Sequence, residues 1–295
     1  MRLIDTHTHL DFPDFDADRG EVLARSRQLG VERLVVLGVY QANWQRLWDL
    51  VQHEDGLYAA FGLHPVYLDQ HQPEHLEQLR DWLPDPALYA VSTYVSACVA
   101  LVARLNPEVL DWFGTSMGGL IGMGYACLPN NPIRKLILND VGPTLNFNAL
   151  QRIGEYVGKP VQFQTLDEAR NYIRTISQPF GPHTESQWSA LTDSVLVQKD
   201  QYWIPHYDPA IGQAFQNLSE STTLMHEAAL WAAYDAIKAD TLVVRGEQSA
   251  LLNHLTVENM RQRGPKARVV EVQGVGHAPT FVQNEQIHLV RDFLL

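Results

Sequence analysis

The chain is poor in several features that would mark common protein classes. Its 295 residues include only two cysteines, Cys98 and Cys127, and these have no metal-type spacing. Both fall on apolar helical faces and read as buried thiols rather than as a disulfide. No apolar run approaches the ~18 residues of a membrane span. The amino terminus has no basic-then-apolar leader pattern, so a cytoplasmic protein is expected. Positive charge is also short, with 22 Lys and Arg against 34 Asp and Glu and a net charge of −12. Without a basic surplus to displace counterions, a phosphate-backbone binder is excluded. No nucleic acid or membrane partner is therefore expected. Internal repeats, low-complexity tracts and a Gly/Ser/Pro-rich linker are absent as well. What the chain does have is a 45% hydrophobic content, enough to fill the core of one large α/β domain or two small ones.

Through the first ninety residues, apolar runs alternate with amphipathic stretches. Strands are expected at Leu3-Ile4, 33–38, 57–62 and 88–91, with helices at 16–29, 41–51 and 74–82. Short connections make these strands parallel and buried on both faces. His7 and His9 are two apart on a strand, so both imidazoles face one side, where they would share a metal or simply end a structural strand. The text Ile4-Asp5-Thr6-His7-Thr8-His9-Leu10-Asp11, with Gly62-Leu63-His64-Pro65, resembles the TatD family of metal-dependent deoxyribonucleases in the amidohydrolase superfamily. The resemblance covers residues 1–91 and implies half of a (β/α)₈ barrel with a His-x-His metal pair. It also implies a bridging Glu after the fourth strand, where this chain has Val91-Ser92-Thr93-Tyr94-Val95. A site that activates water needs three or more convergent ligands, so His7 and His9 are read as relic ligands and no cofactor is expected.

A different text begins near Val91. An amphipathic helix is expected at 92–105, followed by a strand at 109–113 and a helix reaching about Leu128. Between the last two lies Gly114-Thr115-Ser116-Met117-Gly118, a Gly-x-Ser-x-Gly turn in strand–turn–helix context. The sharp turn and close backbones call for both glycines. The turn lifts the Ser116 hydroxyl above the sheet and sets the Met117 N–H beside a developing oxyanion. Further strands are expected at 134–139, 241–245 and 267–272, and a closing helix at 284–295. Residues 144–235 lie between strands, are mostly helical and are too long for a loop, so a cap is expected. Its aromatics, Trp188 and Tyr202-Trp203, would line an acyl pocket or pack the cap itself. His277 sits in a small-residue loop after the last strand, where a hydrolase places its general base.

Residues 91–295 closely resemble the α/β-hydrolase superfamily, in particular its cytosolic esterase-like branch. The matching text is Asp111 to Met123, Leu138-Asn139-Asp140-Val141-Gly142-Pro143, Arg245-Gly246 and Gly276-His277. The resemblance implies Ser116 as nucleophile and His277 as base. It also implies an acid in a Ser-Asp-Leu-Leu text, where this chain reads Ser249-Ala250-Leu251-Leu252. Substitutes for the acid missing at Ala250 are Asp140, which would otherwise be a turn residue bonding nearby N–H groups, and Glu247. The fold's first strands are also missing, together with the loop that supplies half the oxyanion hole.

The TatD-like segment offers strands and helices in the order the hydrolase lacks, with the same crossover hand. The expectation is a single, mostly parallel, doubly wound α/β sheet of hydrolase type with a helical cap, completed by half-barrel strands. Its parts are residues 1–91 completing the sheet, 92–143 and 236–295 as hydrolase core, and 144–235 as cap. Leu63 and His64 would then supply oxyanion N–H groups beside Met117. The expected function is serine-dependent hydrolysis of small activated carboxylic esters through an acyl-enzyme. The alternatives are a metal-dependent phosphodiesterase on His7 and His9, and an inert chimera. The expected partner is a small-molecule ester, with a homodimer formed through imperfect sheet edges as a further possibility.

Overall fold

Short apolar runs become strands from the first described residues. The computed structural model describes residues 3–82, 89–216 and 218–295. Leu3–Thr8 forms β1, Val31–Leu37 β2 and Leu57–Ala60 β3, paired in parallel in the order β1-β2-β3. Parallel neighbours require crossovers, which α1 (Arg19–Gln28) and α2 (Trp44–His53) supply. Helix α3 (Pro73–Asp81) follows a 3-10 turn. Leu10, Leu23, Leu34, Val36, Leu47 and Leu57 form the core of this amino-terminal unit, Met1–Asp85. The indole of Trp44, fully buried, donates Nε1–H to the Gly62 carbonyl at 3.0 Å and ties the end of this sheet together.

The second unit, Pro86–Leu295, is built on its own sheet. Helix α4 (Val91–Leu105) leads to β4 (Leu110–Thr115), α5 (Met117–Ala126) and β5 (Ile133–Asn139). A long insertion follows, with α6 (Phe147–Gly154), α7 (Leu166–Ile176), α8 (Glu185–Asp193), β6 (Leu196–Lys199), β7 (Tyr202–Pro205), α9 (Gln213–Gln216) and α10 (Glu220–Ala236). The chain returns through β8 (Asp240–Gly246), α11 (His254–Gln262), β9 (Arg268–Val272) and α12 (Asn284–Leu294). The sheet is parallel throughout, in the order β4-β5-β8-β9. Its main core joins α5, β5 and α10 through Met123, Leu136, Leu138 and Tyr234, all fully buried. Each such aliphatic side chain contributes roughly 1.5–3 kcal/mol relative to exposure.

The α/β class and the parallel strands agree with expectation. The single continuous sheet does not. Among the described residues, β1-β2-β3 and β4-β5-β8-β9 form separate ladders. Between β3 and β4 the described chain is helical, so no strand there supplies a connecting rung. The strand expected at 88–91 begins at a residue outside the described set, and its end is helical, with Ala90 capping α4 and Val91 opening it. The insertion is also less helical than expected. Its aromatic run Tyr202–Pro205 pairs antiparallel with β6 across a turn at Asp200, which adopts a φ of 55°.

The nucleophile turn needs one of its two expected glycines. A Cβ on Gly114 would lie 2.3 Å from the Gly118 carbonyl oxygen, so no side chain fits there. A Cβ on Gly118 meets nothing within 4 Å, and the expectation that Gly118 is required is corrected. The tight helix contact falls at Gly119, whose Cβ would press on Val141 at 2.4 Å. Thermal unfolding separates the two motif positions. Gly114→Ala is expected to lose roughly 3 kcal/mol or more, and Gly118→Ala to stay within about 0.5 kcal/mol of the parent. Cys98 and Cys127 are free and half-buried. Burial pushes both thiols above their usual range, which leaves little reactive thiolate. A disulfide-exchange reagent at mildly alkaline pH should therefore titrate them slowly in the native chain and rapidly after denaturation.

Candidate active site

Strand β4 ends at Thr115, and Ser116 turns the chain into α5 with φ 50° and ψ −117°. A positive φ at a residue with a Cβ costs about 1–3 kcal/mol and persists only where neighbours hold it. Here the Ser116 N–H donates to the Asn139 carbonyl at 3.0 Å, while the Ser116 carbonyl accepts from Gly119 and Leu120 N–H. Met117 is the first residue of α5, so its N–H belongs to the set that a helix leaves without an internal acceptor.

His277 lies between a hydroxyl and a carboxylate. Its Nδ1 is 2.8 Å from Asp140 Oδ2, and its Nε2 is 3.0 Å from Ser116 Oγ. An ionised carboxylate only accepts, which puts the ring proton on Nδ1 and leaves Nε2 to accept from the serine. Asp140 directly follows β5, is fully buried and has a φ of 54°. Its Oδ1 accepts the Gly246 N–H at 2.8 Å, and its Oδ2 also accepts the Ser249 hydroxyl at 2.6 Å. Three donors thus converge on one buried carboxylate. Of the two acids considered in place of position 250, Asp140 is the one within hydrogen-bond distance of His277. Ala250 itself is exposed. The Glu247 carboxylate is engaged by the Gly274 N–H at 2.8 Å, so Glu247 braces the base loop and leaves His277 to Asp140.

Asn139 is a site residue that sequence reasoning did not single out. Its side-chain amide is fully buried and donates to Thr115 Oγ1 at 3.0 Å and to the Pro279 carbonyl at 2.9 Å. Together with its carbonyl on Ser116, it joins the nucleophile turn to the loop that carries His277. The only signal for it in the sequence is a polar residue at the end of an apolar strand. The insertion grips the same loop: the Gly276 N–H donates to the Pro179 carbonyl at 2.7 Å, and His183 Nε2 lies 2.7 Å from Thr280 Oγ1. Trp203 packs with Phe163 and Tyr172 inside the insertion. Trp188 lines a cleft of about 310 Å³ between α7 and α8, with Arg170 and Arg174.

The remaining expected site residues lie in the amino-terminal unit. The His64 N–H donates to the Val39 carbonyl at 2.8 Å, which corrects its expected role as an oxyanion donor: that N–H closes a loop of its own unit. Leu63 precedes His64 in the same unit. His7 and His9 are neighbours, with ring centroids 5.2 Å apart. Asp11, close in sequence, is buried and bonded to the Asn43 amide, and burial pushes its carboxyl up. Among the described residues, no group of three His, Cys, Asp or Glu side chains converges as a metal site would require. The donor set does not fit a catalytic metal.

Comparison with known proteins follows the same division. The family model for TatD related DNase matches residues 4–93. The metal-dependent hydrolase YjjV of Escherichia coli is 43% identical over 82 residues, which are 28% of this chain and 32% of that protein. The 3-hydroxybutyrate-oligomer hydrolase of Cupriavidus necator is 50% identical over 217 residues, covering 72% of this chain and 74% of the relative. An alpha/beta hydrolase structure from Novosphingobium aromaticivorans superposes with a TM-score of 0.62 at 30% identity, covering 71% of this chain and 73% of that one. The chain is a two-part composite, and through its larger part it belongs to the α/β-hydrolase family that includes the Cupriavidus 3-hydroxybutyrate-oligomer hydrolase.

Proposed function

We propose that the protein is a serine carboxylic-ester hydrolase. The supporting observation is the hydrogen-bonded line in which His277 stands 3.0 Å from Ser116 Oγ and 2.8 Å from Asp140 Oδ2. Ser116 attacks the ester carbonyl while His277 Nε2 takes the hydroxyl proton. Asp140 keeps the imidazole in the reactive tautomer and stabilises the imidazolium that forms. The oxyanion develops beside the Met117 N–H and the positive end of α5. Collapse of the tetrahedral intermediate expels the alcohol with the proton held by His277. Water then repeats the sequence on the acyl-enzyme and restores the serine.

Small esters with good leaving groups suit a site with one oxyanion donor assigned. The similarity to a 3-hydroxybutyrate-oligomer hydrolase extends this to short oligoesters of hydroxy acids, with residues 144–235 acting as a cap over the acyl chain. A phosphodiesterase reading would need a metal centre, and among the described residues no group of three ligands converges as one requires.

A fluorophosphonate ester is expected to label Ser116 stoichiometrically, as read by peptide mass spectrometry, and Ser116→Ala to abolish labelling and turnover. Asp140→Asn should lower kcat by about 10³–10⁴ through the wrong imidazole tautomer, with KM little changed. Turnover of p-nitrophenyl butyrate should be the same with and without a chelator; loss of activity on chelation would move the assignment to a metal centre.

A further inference from the structure

Resting on the serine-hydrolase reading, we infer that Ser249 is a positioning residue that makes Asp140 a working acid in a chain whose usual acid position holds Ala250. The turn after β8 has no carboxylate directed at His277: position 250 is alanine and Glu247 is held by the Gly274 N–H. The Ser249 hydroxyl is the side chain by which that turn still reaches the acid. It is buried, and its oxygen accepts the Leu252 N–H at 3.1 Å. That contact leaves the single hydroxyl proton directed at Asp140 Oδ2, 2.6 Å away.

The turn carrying Ser249 is rigid for a separate reason. It wraps the buried guanidinium of Arg245, which donates to the carbonyls of Leu252 at 2.8 Å, Glu247 at 3.0 Å and Ser249 at 3.4 Å. Arg245 is neutralised by Glu271 at 2.6 Å, with His254 on the same carboxylate at 3.7 Å. The ionic contact of Arg245 runs to Glu271, and the turn's own carboxylate, Glu247, accepts a backbone N–H.

Oδ2 of Asp140 is also the oxygen that orients His277. Two donors therefore share one carboxylate oxygen, while Oδ1 is fixed by the Gly246 N–H. Ser249 and Gly246 together set the carboxylate plane before the imidazole binds to it. Without the hydroxyl, Oδ2 has the imidazole alone. The carboxylate is then held to the scaffold at one oxygen, and its charge falls undivided on His277. Both consequences have kinetic signatures. A looser carboxylate lowers kcat. An undivided Oδ2 holds the imidazolium more tightly, which moves the acidic limb of the rate profile to higher pH.

The test compares the full chain with Ser249→Ala, Ser249→Cys and Ser249→Thr on p-nitrophenyl butyrate across pH, with fluorophosphonate labelling of Ser116 in parallel. Support consists of a roughly tenfold fall in kcat for Ser249→Ala, KM within about twofold, the acidic limb displaced to higher pH, and recovery in Ser249→Thr. Ser249→Cys, nearly isosteric with a weak donor, should follow Ser249→Ala and carries the test if the alanine variant does not fold. An unmoved acidic limb, whether kcat falls or holds, would overturn the inference while Ser116 labelling left the serine reading standing. Failure of Ser116 to label in the unaltered chain would instead overturn the parent reading.

Discussion

The site depends on compensation of one buried charge. Asp140 has no solvent exposure, and an isolated carboxylate in such a place costs several kcal/mol. The fold meets this cost with donors from three other segments: the end of β8, the turn after it and the loop after β9. Because the charge is satisfied only when all three arrive together, it also sets their mutual geometry. The adjacent Asn139 does the same for the nucleophile turn and the base loop with a neutral amide. Two consecutive residues at the end of one strand thus tie together four chain segments, and Ser116, one strand away, is held by the Asn139 carbonyl.

Much of this was legible in the sequence. Ser116 and His277 stood out because a strand–turn–helix with a serine at its apex and a histidine in a small-residue loop are local patterns. Asp140 was legible only as one of two candidates. An aspartate after a strand is also an ordinary turn residue, and its choice over Glu247 depends on contacts more than a hundred positions apart in sequence. Asn139 was legible only as a polar residue ending an apolar strand, and Ser249 only as part of the text around Ala250, since their roles exist in the distances they span. Gly118 was over-read for the opposite reason. The motif names two glycines, but available space decides which is needed, and the crowding falls on Gly114 and Gly119.

Strand pairing was the least legible property. Periodicity identified β1, β2, β3 and the four hydrolase strands, but it carries no information on which strand hydrogen-bonds to which. The merged sheet was inferred from shared crossover hand and the cost of open edges, arguments that hold for any two half-sheets. The register instead ends at β3 on one side and begins at β4 on the other among the described residues. The hairpin at Leu196–Pro205 is hard to read from sequence because its aromatic residues suit pocket lining or cap packing as well as a strand. Asp200 in the left-handed region makes the tight reversal between them possible.

The composite nature of the chain bears unequally on the proposed chemistry. Every member of the hydrogen-bonded line, from Ser116 to His277, lies within the hydrolase part. In the proposed mechanism, replacing that part's first strands with TatD-like text leaves activation of the nucleophile intact. It removes the loop from which the fold draws its second oxyanion donor, and in the amino-terminal unit the His64 N–H is already bonded to Val39. One such donor is worth about 2.7–4 kcal/mol in the transition state, or 10²–10³ in rate. The deficit falls on stabilisation of the tetrahedral intermediate and spares formation of the reactive serine. It weighs most on substrates whose expulsion step demands a long-lived oxyanion. Esters with good leaving groups demand it least, and the proposed substrates are of that class for this reason.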